Sequence, residues 1–134
     1  MSLAQVQILE LLTHADARGR LTVVEPPDSL PFAVARVFYL HHVAPGSVRG
    51  NHAHRWTEQV IVAVSGSFRL QLSDGRAHRS FQLNDPSRGI YIPPLIWDCL
   101  SDFSHDAVAL VFASRPYNPA DYVRTEEELL ALNA

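Results

Sequence analysis

The apolar residues of this chain occur in short runs, each followed by a few polar or turn-forming residues. The runs are rich in Val, Ile, Phe and Tyr, and they lie at residues 5–12, 21–24, 32–43, 60–64, 68–72, 78–83, 89–92 and 107–113. Runs of this kind, repeated at a spacing of roughly 8–12 residues, are typical of the strands of a β-sandwich or β-barrel. The pattern therefore predicts an all-β protein.

Turn signals separate these runs. Asp16-Ala17-Arg18-Gly19 and Asp74-Gly75 predict turns between strands, and Pro26-Pro27 interrupts the pattern. Ser65-Gly66 lies between the runs at 60–64 and 68–72. This position predicts a tight hairpin that joins the two strands.

Only the end of the chain predicts a helix. Thr125 is followed by three glutamates and then by a leucine-rich stretch, which matches a capping box with Thr125 as the N-cap. Glutamates in the first turn also complement the helix dipole. We therefore expect one short C-terminal helix.

Composition limits the class of protein. The 134 residues are 47% hydrophobic and 19% charged, as expected for a single globular domain over residues 1–134. The net charge of -3 argues against a nucleic-acid partner. Cys99 is the only cysteine, which excludes an internal disulfide. No apolar run approaches the ~18 residues that cross a bilayer, and the N-terminus does not resemble a signal peptide, so we expect a cytoplasmic protein without a membrane partner.

Two histidines, His52 and His54, lie two residues apart in a segment that reads as a strand. Side chains alternate across a strand, so the two imidazoles share a face, as does Glu58 if the strand continues without a bulge. Neutral imidazole accepts a proton or ligates a metal near pH 7. The pair therefore predicts either a proton-transfer site or a metal site.

The spacing around this pair is similar to two motifs of the cupin superfamily. The first motif is matched by Gly46, His52, His54, Glu58 and, one position late, Gly66. The second is matched by Gly89, Pro93 and the position of Asp98, where metal-binding members have a third histidine. The resemblance implies a cupin fold, which is a double-sheet jelly-roll barrel.

A narrower resemblance covers nearly the whole chain. The matching segments are Asp16-x-Arg18-Gly19-x-Leu21, Pro31-Phe32, Arg36-Val37-Phe38-Tyr39, Arg49-Gly50-x-His52-Ala53-His54, Glu58-Gln59-Val60, Gly89-Ile90-Tyr91-Ile92-Pro93-Pro94, Trp97, Phe103-Ser104, Ala113-Ser114 and Asp121-Tyr122-Val123-Arg124. They resemble the nucleotide-sugar 3,4-ketoisomerases, which act on dTDP-4-keto-6-deoxyglucose in the biosynthesis of 3-amino sugars. The Arg-Gly-x-His-Ala-His box carries most of this resemblance.

The chemistry of that family fits the residues present. A ketone at C4 acidifies the proton on C3, so a base can remove it to give an enediol, and reprotonation at C4 leaves the ketone at C3. This reaction needs a base and an acid on one face, with a positive group at the developing oxyanion. The resemblance implies His54 as the base and His52 as the proton relay, with Arg49 and Asp98 completing the catalytic set. No cofactor or metal is expected.

The resemblance also implies a set of substrate-binding residues. These are Arg18, Arg36, Tyr39 and Trp97. Arginines suit bidentate contacts to a diphosphate. However, all 11 basic residues of the chain are arginines, and a GC-rich genome is the better explanation of that count. Barrel packing is an equally good explanation of Tyr39 and Trp97, and exposure at a sheet edge is an alternative for Arg36.

Asp98 departs from the family, whose members commonly have His or Arg after the tryptophan. A carboxylate beside an imidazole would stabilise imidazolium and raise its pKa, so we expect Asp98 to act on a proton near C4. Two alternatives remain. One is a metal-binding cupin enzyme that uses His52, His54, Glu58 and Asp98, and the other is a non-catalytic sugar-binding cupin.

The N-terminal apolar run at 5–12 predicts a homodimer. A small sandwich would leave this strand as an exposed edge, and pairing between subunits removes such an edge. The family resemblance implies the same arrangement, with N-terminal strands exchanged between partners.

Overall fold

The computed structural model describes residues 2–134, which form twelve strands, one α-helix and two short 3-10 turns. The strands are β1 (Gln7–Glu10), β2 (Thr13–Asp16), β3 (Gly19–Thr22), β4 (Arg36–Leu40), β5 (Arg49–His54), β6 (Gln59–Ser65), β7 (Phe68–Ser73), β8 (His78–Leu83), β9 (Arg88–Ile92), β10 (Trp97–Ser101), β11 (Val108–Ala113) and β12 (Tyr122–Val123). The helix α1 spans Glu126–Leu132, and the 3-10 turns are Leu3–Gln5 and Pro119–Asp121.

Ten of the strands form two five-stranded antiparallel sheets. The first sheet has the order β1-β9-β6-β11-β4, the second has the order β12-β5-β10-β7-β8, and β2 and β3 form a separate hairpin. The largest cluster of buried apolar side chains draws on β6, β9 and β11 of the first sheet and on β7 and β10 of the second. Alternate residues of both sheets face each other, so the expectation of a double-sheet all-β fold is confirmed.

The predicted hairpin at Ser65-Gly66 is wrong. Strand β6 pairs with β9 and β11, whereas β7 pairs with β8 and β10, so this turn connects the two sheets. Gly66 has a φ of +61°, and a Cβ at this position would lie 2.3 Å from Oγ of Ser104. Residue 66 is therefore glycine because the chain passes from one sheet to the other here, and not because it forms a two-residue hairpin. The second predicted turn does form a hairpin, in which Oδ1 of Asp74 accepts from the backbone N–H groups of Arg76 and Ala77.

The N-terminal run at 5–12 is shorter as a strand than predicted. Only Gln7–Glu10 pairs, with β9, and Thr13–Asp16 pairs with Gly19–Thr22 across the predicted polar turn. Strands β10 and β12 do not correspond to any of the predicted apolar runs. In β10 the apolar residues alternate with polar ones, and β12 is only two residues long.

The C-terminal helix is confirmed, and it covers the outer face of the second sheet. The backbone N–H of Glu128 donates to Oγ1 of Thr125, as the capping box predicts. Leu129 packs against Ala53, Trp97 and Val123 in a separate buried cluster. The side chain of Glu128 also pairs with Arg55, which joins the helix to the end of β5. Within residues 2–134, no helix has the length and apolar character needed to span a membrane.

Candidate active site

A cavity that is partly open to solvent lies between the two sheets beside β5. One wall comes from the first sheet and consists of Phe38, Leu40, Gln59, Ile61 and Val111. The other wall comes from the second sheet and consists of Arg49, Gly50, His52, His54, Asp98, Leu100 and Tyr122. Most of the polar groups therefore lie on the second sheet and face an apolar wall.

Strand register sets the neighbours of the two histidines. His52 lies opposite Asp98 on β10, and His54 lies opposite Tyr122 on β12. The imidazole centroids are 5.1 Å apart, and the ring of Tyr122 lies 4.9 Å from His52 and 4.7 Å from His54. The sequence prediction that both histidines share one face is confirmed by their common position on the cavity wall.

Among the described residues that line the cavity, Asp98 has the one carboxyl group. It is 3% exposed, and burial raises the pKa of its carboxyl group to about 7. The carboxyl group fits because residue 50 is glycine: a Cβ there would lie 2.4 Å from Oδ1 of Asp98. Gly50 also has a φ of +80°, which is unfavourable for other residues. Near neutral pH, Asp98 is therefore available as a proton donor.

Gly50→Ala is expected to disturb the site directly. The new methyl group cannot coexist with the Asp98 side chain in its present position, and the backbone would keep an unfavourable φ, so we expect a destabilisation of about 1–3 kcal/mol together with loss of activity. Gly19→Ala is the matched control, because Gly19 also has a positive φ but no atom lies within 4 Å of its added Cβ. Urea unfolding and turnover measure the two effects, and equal behaviour of both variants would contradict this role of Gly50.

His54 is a neutral imidazole at physiological pH. The side chain is 4% exposed, and burial is the main reason why its pKa is lowered to about 4. The nearby charges of His52 and Arg36 lower the pKa further, whereas the carboxylate of Asp121 raises it. Its Nε2 atom is buried and has no hydrogen-bond partner within residues 2–134. A buried, unpaired imidazole nitrogen that faces a cavity is suited to receive a proton from a ligand.

His52 also has a lowered pKa. Burial is the main cause, and the charge of Arg124 adds to it. The expectation that Asp98 would raise the pKa of a neighbouring imidazole is thus wrong for His52. Nε2 of His52 and Oδ2 of Asp98 are 3.9 Å apart, too far for a hydrogen bond. Burial favours the uncharged form of both groups, so the pair is a neutral imidazole beside a carboxyl group that is partly protonated near neutral pH.

The three arginines expected at the substrate occupy different places. Arg49 lines the cavity. Arg36 alternates with Phe38 and Leu40 along β4 and so points inward, where its guanidinium carbon lies 5.2 Å from the ring centroid of Phe38. Its Nε atom is buried without a hydrogen-bond partner within the described chain. Arg18 lies in the β2–β3 turn, where its side chain is 91% exposed and paired with Asp16, and it does not line this cavity.

Three other predicted residues lie outside the cavity. Tyr39 is on the outer face of β4 and 59% exposed. Trp97 lies on the opposite face of β10 from Asp98 and packs beneath α1, so packing explains it. Glu58 follows the end of β5 and accepts a hydrogen bond of 2.7 Å from the hydroxyl of Tyr91. The four-residue metal site that includes Glu58 is therefore not assembled.

The structure adds polar residues that the sequence reasoning missed. Gln59 and Tyr122 line the cavity, and the guanidinium carbon of Arg124 lies 4.9 Å from the centroid of the Tyr122 ring. Asp121 holds this tail in place, because its carboxylate accepts from the backbone N–H of Trp56 and from the hydroxyl of Thr57. In the sequence, the alternation Tyr122-x-Arg124 beside Asp121 is only a weak indication of a functional strand. It does not reveal that Tyr122 pairs with His54.

The cavity combines a pair of imidazoles, a carboxyl group with a pKa of about 7 and the guanidinium group of Arg49, and so it can remove a proton, return one, and stabilise an anion. A jelly-roll barrel with such a site belongs to the cupin class of enzymes. Comparison with known proteins narrows the class. A family model described as FdtA, WxcM-like, C-terminal, matches residues 4–134.

Characterised relatives agree with this match. The chain is 39% identical over 109 residues to the TDP-4-oxo-6-deoxy-alpha-D-glucose-3,4-oxoisomerase of Aneurinibacillus thermoaerophilus, over 81% of this chain and 78% of the relative. A mutant of the 3,4-ketoisomerase QdtA from Thermoanaerobacterium thermosaccharolyticum, solved with TDP-4-keto-6-deoxyglucose, superposes with a TM-score of 0.95 at 34% identity, over 98% of this chain and 95% of that one.

A third relative has the same fold. A 3,4-ketoisomerase from Helicobacter canadensis superposes with a TM-score of 0.92 at 36% identity, over 96% of this chain and 97% of that one. The chain therefore belongs to the FdtA family of cupins, and it is an enzyme of the ketoisomerase type.

Proposed function

We propose that this protein is a dTDP-4-keto-6-deoxyglucose 3,4-ketoisomerase that moves the carbonyl group from C4 to C3 by histidine-mediated proton transfer. The observation that carries the proposal is the buried, unpaired Nε2 of His54 beside His52, on a cavity wall that also has an uncharged acid. The substrate is inferred from the relatives, whose names specify the same sugar.

The first step is removal of the C3 proton by Nε2 of His54. The C3–H bond breaks and its electron pair forms an enediolate, whose negative charge at O4 is stabilised by Arg49 or Arg36. The pKa of about 4 makes His54 a weak base in the free protein. A bound diphosphate would counter the positive charge of Arg36 and so increase the proton affinity of this imidazole.

The second step is delivery of a proton to C4. The protonated carboxyl group of Asp98 lies opposite His52 and can supply this proton through it or directly. The proton of the C3 hydroxyl passes to O4, so that a carbonyl group forms at C3 and a hydroxyl group at C4. His54 then releases the proton it took from C3, and Asp98 regains one from solvent. One C–H bond breaks and one forms, and no electron leaves the sugar. The steps require no cofactor. The product has its ketone at C3, which is the position at which an aminotransferase would introduce a 3-amino group. We also propose that the reaction takes place in the cytoplasm.

The decisive experiment follows hydrogen exchange in the substrate. The protein is incubated with dTDP-4-keto-6-deoxyglucose in deuterated water, with and without a chelator, and NMR records deuterium at C3 and C4. Chelator-independent formation of the 3-keto product with deuterium at C4 is the expected result. Binding without exchange would identify a non-catalytic sugar-binding protein, and exchange that the chelator abolishes would identify a metal-dependent enzyme.

Arg49→Ala is expected to weaken binding of TDP by roughly tenfold to a hundredfold, because a charge-assisted hydrogen bond to phosphate contributes about 1.5–3 kcal/mol. Arg49 lines the cavity, whereas Arg88 pairs with Glu10 on the surface. Arg88→Ala is therefore the matched control. Calorimetry measures both affinities, and an unchanged affinity in Arg49→Ala would remove Arg49 from the diphosphate site.

We also propose that the protein is a homodimer. Apolar side chains are exposed on the β2–β3 hairpin and on the outer face of β4, namely Leu12, Leu21, Val37 and Tyr39. Exposed apolar side chains of this size are common at subunit interfaces. If N-terminal strands exchange between subunits, the β2–β3 hairpin moves with them, and Arg18 would then lie against the partner subunit.

Light scattering at micromolar protein is expected to give twice the mass of the chain. Leu21→Arg places a charge on the exposed hairpin and should convert the dimer to monomer, whereas Arg76→Glu, on the exposed β7–β8 turn, should leave the mass unchanged. A monomer mass for the unmodified protein would refute the dimer.

A further inference from the structure

The buried carboxylate of Asp121 joins two segments that lie next to the histidine pair. Asp121 is 3% exposed, and it is the last residue of the 3-10 turn that leads into β12. Its carboxylate accepts a hydrogen bond of 2.8 Å from the backbone N–H of Trp56 and another from the hydroxyl of Thr57. These two residues lie just beyond the end of β5, whose last residue is His54. One side chain therefore fixes the segment that leaves the strand with both histidines.

The backbone of Asp121 makes a further link to the same segment. Its carbonyl oxygen accepts a hydrogen bond of 2.7 Å from the N–H of Arg55. The next residue, Tyr122, pairs with His54, and its ring lies 4.7 Å from that imidazole and 4.9 Å from the imidazole of His52. Because β12 has only two residues, its own pairing is limited, and the hydrogen bonds of Asp121 contribute to holding Tyr122 against the histidines.

Asp121 also carries a negative charge that has no ionic partner. Burial acts to raise the pKa of its carboxyl group, but the hydrogen bonds from Thr57 and Trp56 outweigh burial and hold the pKa below its usual value. None of the ion pairs within residues 2–134 includes Asp121, and the neighbouring Arg55 pairs with Glu128 instead. A buried charge without a counter-charge is unfavourable. Positive charge that appears nearby during a reaction would therefore be stabilised.

The proposed reaction creates such a charge on His54, when Nε2 takes the proton from C3. Burial is the main reason why the pKa of His54 is low, and the charges of His52 and Arg36 lower it further, whereas Asp121 raises it. The other charged or titratable side chains around this imidazole are Arg49, Asp98 and Tyr122 of the cavity wall, and Arg124 beside Tyr122. Asp121 thus offsets part of the unfavourable surroundings of the base.

We propose that Asp121 is a positioning residue of the isomerase, whose carboxylate holds β12 against the end of β5 and stabilises the positively charged His54 that forms when C3 loses its proton. The inference rests on the proposed function, because His54 becomes charged only if it acts as the base. Asp121 does not line the cavity, so it acts through His54 and not on the sugar. A counter-charge of this kind favours the charged imidazole over the neutral one, and so it increases kcat without tightening substrate binding.

Asp121→Asn tests the charge, because the amide oxygen can still accept from Trp56 and the hydroxyl of Thr57 can rotate to accept from the amide. We expect kcat to fall by roughly tenfold to a hundredfold, since a nearby opposite charge shifts a pKa by about 1–3 units. KM should stay nearly unchanged. The acid limb of the kcat–pH profile should move to lower pH, because His54 without this counter-charge loses its proton more readily.

Two further variants separate the charge from the hydrogen bonds. Thr57→Val removes one hydrogen bond but keeps the carboxylate, so we expect a lower resistance to urea with the acid limb in its original place. Asp74→Asn is the matched control, because Asp74 also accepts from two backbone N–H groups, but in the β7–β8 turn. It should leave kcat and the acid limb unchanged. An unchanged kcat in Asp121→Asn, or an acid limb that shifts equally in Thr57→Val, would overturn the electrostatic role of Asp121.

A measurement on the unmodified protein needs no variant to fold. With carbon-13 labels and TDP bound, NMR follows the Cγ signal of Asp121 and the Cε1 signal of His54 as the pH is lowered. We expect both signals to shift at the same pH, and a Cγ signal that does not respond when His54 titrates would overturn the pairing of the two charges. If the signals shift together but the protein does not isomerise its substrate, the pairing stands and the proposed function fails.

Discussion

His54→Ala is expected to lower turnover on dTDP-4-keto-6-deoxyglucose by about 10²–10⁴-fold, the usual contribution of a general base. The reason is that Nε2 of His54 is the one buried imidazole nitrogen of the described chain without a partner, and it faces the cavity. Affinity for TDP should change little, because the imidazole is neutral in the free protein. Steady-state kinetics and calorimetry on the same sample separate the two effects.

His52→Ala should cause a loss of the same order if His52 relays the proton between the sugar and Asp98. His78→Ala is the control, since His78 is exposed on β8. His52→Ala should also abolish deuterium incorporation at C4. An activity close to that of the unmodified enzyme in either cavity variant would remove that residue from the mechanism.

Asp98→Asn is expected to make the protein more stable at pH 8 while reducing its activity. Burial raises the pKa of Asp98 to about 7, so the folded state holds this proton more tightly than the unfolded chain. The stabilisation from Asp98 is thus fully present below the unfolded pKa and is lost as the pH rises through 7. Asparagine avoids this loss, and we expect a net gain of about 1–3 kcal/mol at pH 8 after the cost of an unpaired buried amide.

The same variant should reveal the titration of His54. Its pKa is lowered from 6.5 to about 4, so the unfolded chain binds more protons in this interval and stability increases with pH. In the unmodified protein, Asp98 has the opposite slope over nearly the same range, and the two effects offset each other. Asp98→Asn should therefore gain stability steadily from pH 4 to pH 6.5.

Urea unfolding at pH 4.5, 6.5 and 8 measures both slopes. Asp28→Asn is the control, because Asp28 is exposed. An Asp98→Asn protein that is less stable than the unmodified protein at pH 8 would show that Asp98 is charged and stabilised in the folded state.

Local rules explain the part of the cavity wall that the sequence predicts. Two-residue alternation on a strand is enough to bring His52 and His54 to one face, and the flanking motifs identify the barrel. The same alternation explains a failure: Arg36 and Tyr39 are three residues apart, so one strand cannot direct both inward, and β4 directs Arg36 inward. Trp97 and Asp98 are adjacent and likewise lie on opposite faces of β10.

The remainder depends on long-range pairing. The opposition of His52 to Asp98 follows from the register of β5 and β10, which includes a bulge between Asp98 and Cys99. Nothing local to either segment specifies that register. The prediction that Glu58 shares the face of the two histidines is wrong for a related reason, because β5 ends at His54 and the chain turns before residue 58. The turn at Ser65-Gly66 looks the same in sequence whether it closes a hairpin or crosses between sheets.

The position of β5 in its sheet also affects how the protein is made. Its neighbours are β10 and the two-residue β12, and both come later in the chain. During synthesis, the strand that carries both histidines leaves the ribosome with neither edge paired, and it gains its second neighbour only when residues 122–123 emerge. Unpaired strand edges promote association with other chains. The strand with both histidines is therefore one of the segments whose edges stay unpaired longest during synthesis, and slow elongation between residues 54 and 122 would increase its exposure.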